Sequence, residues 1–311
     1  MVEESIPMVD FQQLCEEEEC NKLRDACEKW GCFRIVNHSI PITLMAEMKS
    51  VAKYLHDLPM EIKKRNKSVG SEGGYVGSIK ISPLYESLGI YDMCSSPQAV
   101  EDFCSQLNVS THHRHIIEVY GQAIRDFVSI ISKKMTESMG VMGADFEDWP
   151  FIFRMVKYNF TPETVGELGV ELHSDTGFIT LLQDDEHVGG LEMMDDSGSF
   201  VAIPPKSGSF LCIIGDVAQA WSNGRLRNVK HRVVCKETTT RYSIGAFVIP
   251  LAEYNVEAPR ELVEPNHARL YRPFKYRELS IIKKYIYREF KESTITTGKR
   301  AGQVLEQFRI S

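Results

Sequence analysis

The chain has 311 residues, 43% hydrophobic and 25% charged, a composition that supports a large buried core and excludes disorder, collagen and coiled coil. A formal net charge of −7 sets the whole chain against nucleic acid and anionic membrane surfaces, so a small molecule or another protein is the expected partner. The eight cysteines are dispersed without a C-x-x-C pair, which fits reduced thiols in the cytoplasm. Met1 to Phe11 is acidic and contains Pro7, unlike an export signal, and no run approaches the roughly 18 apolar residues of a membrane span. A soluble, cytoplasmic protein, monomeric or weakly homo-oligomeric, is expected.

Up to about residue 150, apolar side chains recur at spacings of three and four, so this region reads as helical with one early strand. Cys20, Leu23, Cys27 and Trp30 share a helix face that Gly31 ends, and Cys32 to Val36 is a short buried strand. A second helix from about Thr43 presents Leu44, Met48, Val51 and Leu55 until Pro59 interrupts it. The glycine-rich stretch Gly70 to Gly77 reads as an exposed linker or a lid. The longest helix, from about His115 to Met139, aligns Ile116, Tyr120, Ile124, Phe127, Ile131 and Met135, with Gly140 after it.

From Phe151 the period drops from about 3.6 to about 2. Strands are expected at Arg154 to Phe160, Val170 to Asp175, Phe178 to Gln183, Leu191 to Met194, Phe200 to Ile203, Ser209 to Ile214, Val229 to Lys236 and Tyr242 to Ile249. Asn223-Gly224 is a two-residue hairpin signal, and Ser197-Gly198 a weaker one. Short strands without intervening helices indicate a sandwich or jelly roll. After Pro250 the chain returns to helix, with Leu279, Ile282, Ile286 and Phe290 on one face. The expected fold is mixed α and β: a mainly helical region over 1–150, a jelly-roll core over 151–250 and a helical region over 251–311, acting as one unit.

His173-Ser174-Asp175 falls inside an expected strand, where alternation puts residues 173 and 175 on one face. His231, on a later strand, offers a third ligand. Two imidazoles and one carboxylate form the facial triad of non-haem Fe(II) oxygenases, which leaves positions open for a cosubstrate and O2. Arg241 and Ser243 are spaced to share a strand face and to bind a carboxylate. If that anion is 2-oxoglutarate, Fe(II), Asp175, the dianion and Arg241 sum to a neutral buried cluster, avoiding the cost of an unpaired buried charge.

Several segments carry a family resemblance. Ile6 to Asp10, Trp30 to Pro41, Gly189-Gly190-Leu191, Gly215-Asp216, Ser222 to Arg225 and His231-Arg232-Val233 resemble landmarks of the plant-type 2-oxoglutarate- and Fe(II)-dependent dioxygenases. The resemblance runs nearly end to end and implies a double-stranded β-helix core. It makes His173, Asp175 and His231 the iron ligands and Arg241 and Ser243 the clasp for the distal carboxylate of 2-oxoglutarate. Tyr158 stands where the family's N-x-Y tyrosine reaches the same carboxylate, while Val156 stands where the motif has Asn. Pro83 to Gly89, Tyr91 to Met93, Ser96 to Val100, Glu163 to Val170 and Trp221 to Leu226 are similar to the auxin-oxidase branch, which converts indole-3-acetic acid to its 2-oxindole. A small aromatic substrate is implied, with Tyr75, Met155 and Phe247 as candidate wall residues.

Two other readings compete with auxin oxidation: a hydroxylase or demethylase of another plant aromatic metabolite, and a jelly-roll protein that binds a metal or anion without turnover. His112, His113 and His115 read as a solvated helix start rather than a second metal site. The basic stretch Tyr271 to Arg300 reads as a solvent-facing amphipathic helix. Gly70, Gly73, Gly74 and Gly77 lack the phosphate-binding lysine motif, and no serine-nucleophile elbow is present.

Overall fold

The computed structural model describes residues 6–67, 73–77, 82–93, 97–144, 146, 148–263, 267–292 and 304–310. Strand β1 (Met8–Asp10) and helix α1 (Glu17–Asp25) lead into a π-helical turn, Ala26–Trp30. Gly31 ends the turn with a φ of 71° and opens β2 (Cys32–Val36), as its sequence position suggests. Helix α2 (Ile42–His56) buries Met48, Val51 and Leu55, and Pro59 opens the one-turn α3 (Met60–Lys63).

Strand β3 (Tyr85–Tyr91) departs from the expectation of a helical region with one early strand, and helix α4 (Pro97–Leu107) follows it. In β3, Ser87 and Gly89 break the apolar alternation and all residues but the last are buried, so no polar face announces the strand. Helix α5 (Thr111–Ser138) starts earlier than expected because the Ser110 hydroxyl accepts from the His113 N–H at 3.2 Å. That cap draws His112, His113 and His115 into the first turns of the helix. The stripe from Ile116 to Met135 is buried on the large sheet, and burying each large apolar side chain is worth about 1.5–3 kcal/mol.

The strands of the strand-rich part form as expected with their ends displaced, but a short helix, α6 (Asp216–Trp221), interrupts them where none was expected. This part comprises β4 (Phe151–Tyr158), β5 (Leu168–His173), β6 (Ile179–Gln183), β7 (Leu191–Met194), β8 (Phe200–Ala202), β9 (Phe210–Ile214), α6, β10 (His231–Val234) and β11 (Arg241–Val248). Two short paired strands, β12 (Asn255–Val256) and β13 (Phe274–Lys275), precede α7 (Tyr276–Glu292). Ser197 and Gly198 do turn β7 into β8, with Gly198 at φ 82°. Asn223 and Gly224 do not form a hairpin. At φ 53° and 83° they end α6, the Gly224 N–H donates to the Gln219 carbonyl at 2.8 Å, and the Asn223 amide pins the Leu262 carbonyl at 3.1 Å. On α7, Leu279 is buried and Ile282 and Ile286 are partly buried; the Phe290 side chain lies outside the described residues.

A seven-stranded sheet of order β1-β2-β9-β6-β11-β4-β3 faces a four-stranded sheet of order β5-β10-β7-β8. This is a jelly roll, and its large sheet takes three strands from the first 150 residues. In the minor sheet, the β10–β5 register slips just beyond the His231–His173 pair, so β5 carries a bulge beside His173. Among the described residues no helix is long and apolar enough to cross a membrane.

Outside the barrel, the Tyr75 hydroxyl donates to Glu86 at 2.7 Å, Lys63 Nζ lies 2.6 Å from the same carboxylate, and the His56 ring is 3.7 Å away. Burial alone would raise the Glu86 carboxyl, but His56, Lys63 and Tyr75 bring it down to about 2. The cluster ties α2, α3 and residues 73–77 to β3.

Two outcomes follow. Since Glu86 titrates lower in the folded chain, its contribution to stability is complete above the ordinary value of 4.5 and is lost as pH falls towards about 2. Urea unfolding across that window should show Glu86→Gln with a flatter pH dependence than the parent. A Cβ on Gly31 would lie 2.3 Å from the Arg227 carbonyl oxygen at a left-handed φ, so Gly31→Ala should lose about 1–3 kcal/mol or more in the same assay.

Candidate active site

The two sheets enclose a cavity of about 750 Å³. Strand register stacks its inner face in rows: Tyr85, Tyr158 and Arg241 in one, Ser87, Val156 and Ser243 in the next, then Gly89, Arg154 and Gly245. Ile152 and Phe247 form a further pair nearer the far end of β11.

His173 ends β5 and His231 begins β10; they are register partners, with ring centroids 4.2 Å apart. Asp175 is not on the strand, contrary to the sequence expectation. The chain leaves β5 at His173, and the turn at residues 174–177 carries Asp175 back to the same gap. Its Oδ1 lies 3.7 Å from His173 Nε2 and 3.8 Å from His231 Nε2. Each His Nδ1 faces a carbonyl, Glu171 O at 2.8 Å and Val229 O at 3.3 Å. Because a carbonyl only accepts, both Nδ1 atoms carry a proton, and both Nε2 atoms face the gap. Burial, then the His231 ring, pushes His173 down to about 3, which keeps its imidazole neutral. Burial would raise Asp175, but the two rings and a 2.5 Å hydrogen bond from Thr180 Oγ1 to Oδ2 hold its carboxyl below the ordinary range. Two imidazoles and one carboxylate, with donor atoms within 4.8 Å of one another, suit a single divalent metal.

The turn is built by close backbone approach. A Cβ on Gly215 would meet the Gly177 carbonyl oxygen at 2.1 Å, and the Asp216 N–H donates to the Asp175 carbonyl at 2.8 Å. This gives Gly215-Asp216 a physical role: α6 begins against the ligand turn and fixes its path.

Arg241 is 1% exposed and sits 5.0 Å from the Tyr158 ring. One of its nitrogens donates to Asp184, which also pairs with Arg34 at 3.7 Å. Its Nε and Nη1 have no hydrogen-bond partner among the described residues. Two buried, unsatisfied guanidinium nitrogens beside a cavity call for an anion supplied by a ligand, because leaving each unpaired costs about 1–3 kcal/mol. Ser243 is buried beside it, and burial pushes the Tyr158 phenol well up, so it stays a donor. The donor sets therefore fit both a metal ion and a carboxylate cosubstrate.

Phe247 lines the cavity with Arg241 and Ser243. Met155 does not: β4 alternation sends Ile152, Arg154, Val156 and Tyr158 inward and Met155 into the helical layer, where its carbonyl accepts from His56 Nε2 at 3.1 Å. Tyr75 is likewise absent from the lining and is engaged by Glu86.

Sequence reasoning passed over Arg154, Asp184, Thr180 and Lys283. Arg154 shares the parity of Tyr158 and was within reach of that signal. Lys283 lies in the basic stretch read as solvent-facing, yet it is 8% exposed and borders the cavity.

Comparison with known proteins agrees with this geometry. The family model for the 2OG-Fe(II) oxygenase superfamily matches residues 150–250, and that for the non-haem dioxygenase N-terminal region, described from morphine synthesis, matches 6–114. The chain is 44% identical over 289 residues to the 2-oxoglutarate-dependent dioxygenase DAO of Oryza sativa, covering 93% of this chain and 92% of that one. The crystal structure of the rice dioxygenase for auxin oxidation matches with a TM-score of 0.85 at 42% identity, over 98% of this chain and 100% of that one. The Arabidopsis thaliana dioxygenase for auxin oxidation 1, in its 2-oxoglutarate binary complex, matches with a TM-score of 0.81 at 47% identity, over 85% and 100% of the two chains. The chain thus belongs to the 2OG-Fe(II) oxygenase superfamily and is a 2-oxoglutarate-dependent dioxygenase, with an iron-binding triad at the meeting of β5, β10 and the turn that follows β5.

Proposed function

We propose that this enzyme oxidises indole-3-acetic acid to 2-oxindole-3-acetic acid, in the cytoplasm. The observation that carries the reading is the similarity, over nearly the whole chain, to dioxygenases whose names state auxin oxidation. The cavity supports it. Phe247, Ile152 and Ile249 offer an apolar wall for an aromatic ring. Arg154 donates to the Ser87 hydroxyl at 3.2 Å and the Gly73 carbonyl at 3.4 Å, and no carboxylate among the described residues pairs with it. Gly89 and Gly245 flank Arg154 in its row, and the space over Gly245 is taken by the Phe247 ring, so an aromatic wall stands beside a guanidinium that an acid group can pair with. The seven described cysteines are all free, in keeping with a reducing compartment.

In this reading His173, Asp175 and His231 hold Fe(II), and Arg241, with Ser243 and Tyr158, holds the distal carboxylate of 2-oxoglutarate. When bound, Fe(II) with 2-oxoglutarate and O2 supplies the oxidising chemistry, with 2-oxoglutarate decarboxylated to succinate. The protein orients the aromatic acid against the metal, excludes water and keeps the His173 imidazole neutral. Val156, opposite Ser243 and Ser87, puts an apolar side chain where the family motif has an amide, so the clasp relies on Arg241 for charge.

The test is a panel of aromatic acids, including indole-3-acetic acid, with Fe(II)-loaded enzyme, 2-oxoglutarate and O2, followed by mass. Indole-3-acetic acid should give a product one oxygen heavier, with succinate in equal amount. If it neither turns over nor stimulates 2-oxoglutarate consumption while another acid does, the enzyme belongs to a different branch of aromatic metabolism. Arg241→Met should raise the KM for 2-oxoglutarate by about 100-fold, since truncating one side of a buried charge contact costs about 2–5 kcal/mol, while Fe(II) affinity of the apoprotein stays near the parent value.

A further inference from the structure

We propose that Lys283, on the C-terminal helix α7, is a positioning residue for the iron site. Its ammonium donates to the Ser174 carbonyl at 2.5 Å and to Asp216 Oδ2 at 2.9 Å, and only 8% of the residue is exposed. Ser174 lies between two of the ligands. Asp216, 1% exposed, reaches both ligand-bearing segments: its N–H donates to the Asp175 carbonyl at 2.8 Å, and its Oδ1 accepts from the Asn228 amide at 2.6 Å. Asn228 stands at the approach to β10, next to Val229, whose carbonyl orients the His231 ring at 3.3 Å. One buried ammonium thus joins a helix from the end of the chain to the turn that carries Asp175 and to the strand that carries His231.

The chemistry of the link explains why a lysine sits there. A carbonyl and a carboxylate present acceptors only, and a flexible stem ending in three rotatable donors satisfies both at once. An apolar residue would leave the Asp216 carboxylate buried with one neutral donor, free to relax and to take the 174–175 backbone with it. Tyr276, Ser280 and Lys283 recur on one face of α7 along the cavity, so the helix docks as a wall of the site. Groups that orient metal ligands without touching the metal typically change its affinity by about 10–100-fold when removed.

The proposal is independent of which acid is oxidised, because its readout needs no substrate. Fe(II) binding to the full-length apoprotein is measured anaerobically by calorimetry, with Co(II) absorption as a second probe of ligand geometry. Lys283→Met should weaken Fe(II) by about 10-fold and alter the Co(II) spectrum, and Lys283→Arg should recover part of the affinity. The double variant Lys283→Met with Asp216→Asn removes the uncompensated charge. It separates positioning from bulk stability: melting temperature should return towards the parent while Fe(II) affinity stays low. Parental Fe(II) affinity in either folded variant, or recovery of affinity together with melting temperature in the double variant, would overturn the assignment. If Lys283→Met alone does not fold, the double variant decides the question by the same two readouts.

Discussion

The jelly roll holds charge in its interior, and away from the cavity that charge is matched within reach. Asp184 is shared by Arg34 and Arg241, Asp216 is paired with Lys283, and Asp175 accepts a hydrogen bond from the Thr180 hydroxyl while its other oxygen faces the gap between two imidazoles. Unmatched, any one of these groups would carry a desolvation penalty of several kcal/mol, comparable with the net stability of a domain. Among the described residues matching is incomplete along the cavity, at Asp175, at Arg154 and at the free Nε and Nη1 of Arg241. The remaining deficit matches a dicarboxylate and a divalent ion.

This pattern refines the simple charge sum drawn from composition. A sum over Fe(II), Asp175, 2-oxoglutarate and Arg241 is neutral, but Arg241 already shares its charge with Asp184, and Arg34 restores the balance from β2. The N-terminal strands are therefore part of the electrostatics of the site as well as of the sheet. The acidic character of the whole chain says little about this interior.

Residue types repeated at strand period were readable from sequence. His173, Asp175 and His231 announced a metal site, and Arg241 with Ser243 an anion clasp, because side-chain chemistry and parity both constrain them. Parity also carried information that went unused: Met155 differs from Tyr158 by an odd number of positions and faces the helices, whereas Arg154 faces inward. Asp175 reaches the gap through a turn, since β5 ends at His173, so alternation named the right residue for a reason the backbone does not follow. What could not be read were pairings between remote segments. Lys283 and Asp216, or Asp184 and Arg34, meet only once the sheets close, and no local spacing encodes them. β3 escaped because burial on both faces erases the amphipathic signal.

The bulge in β5 has a consequence for how this chain can vary. The extra residue lies immediately before His173, where Glu171 is exposed and its main-chain carbonyl, rather than its side chain, holds the imidazole. Many side chains at position 171 would serve equally well. Removing a residue from the bulge would rotate everything beyond it by one position and turn His173 towards the outside of the sheet. Substitutions there are cheap while deletions are ruinous, so the chain's tolerance at this point is set by its length rather than by its spelling.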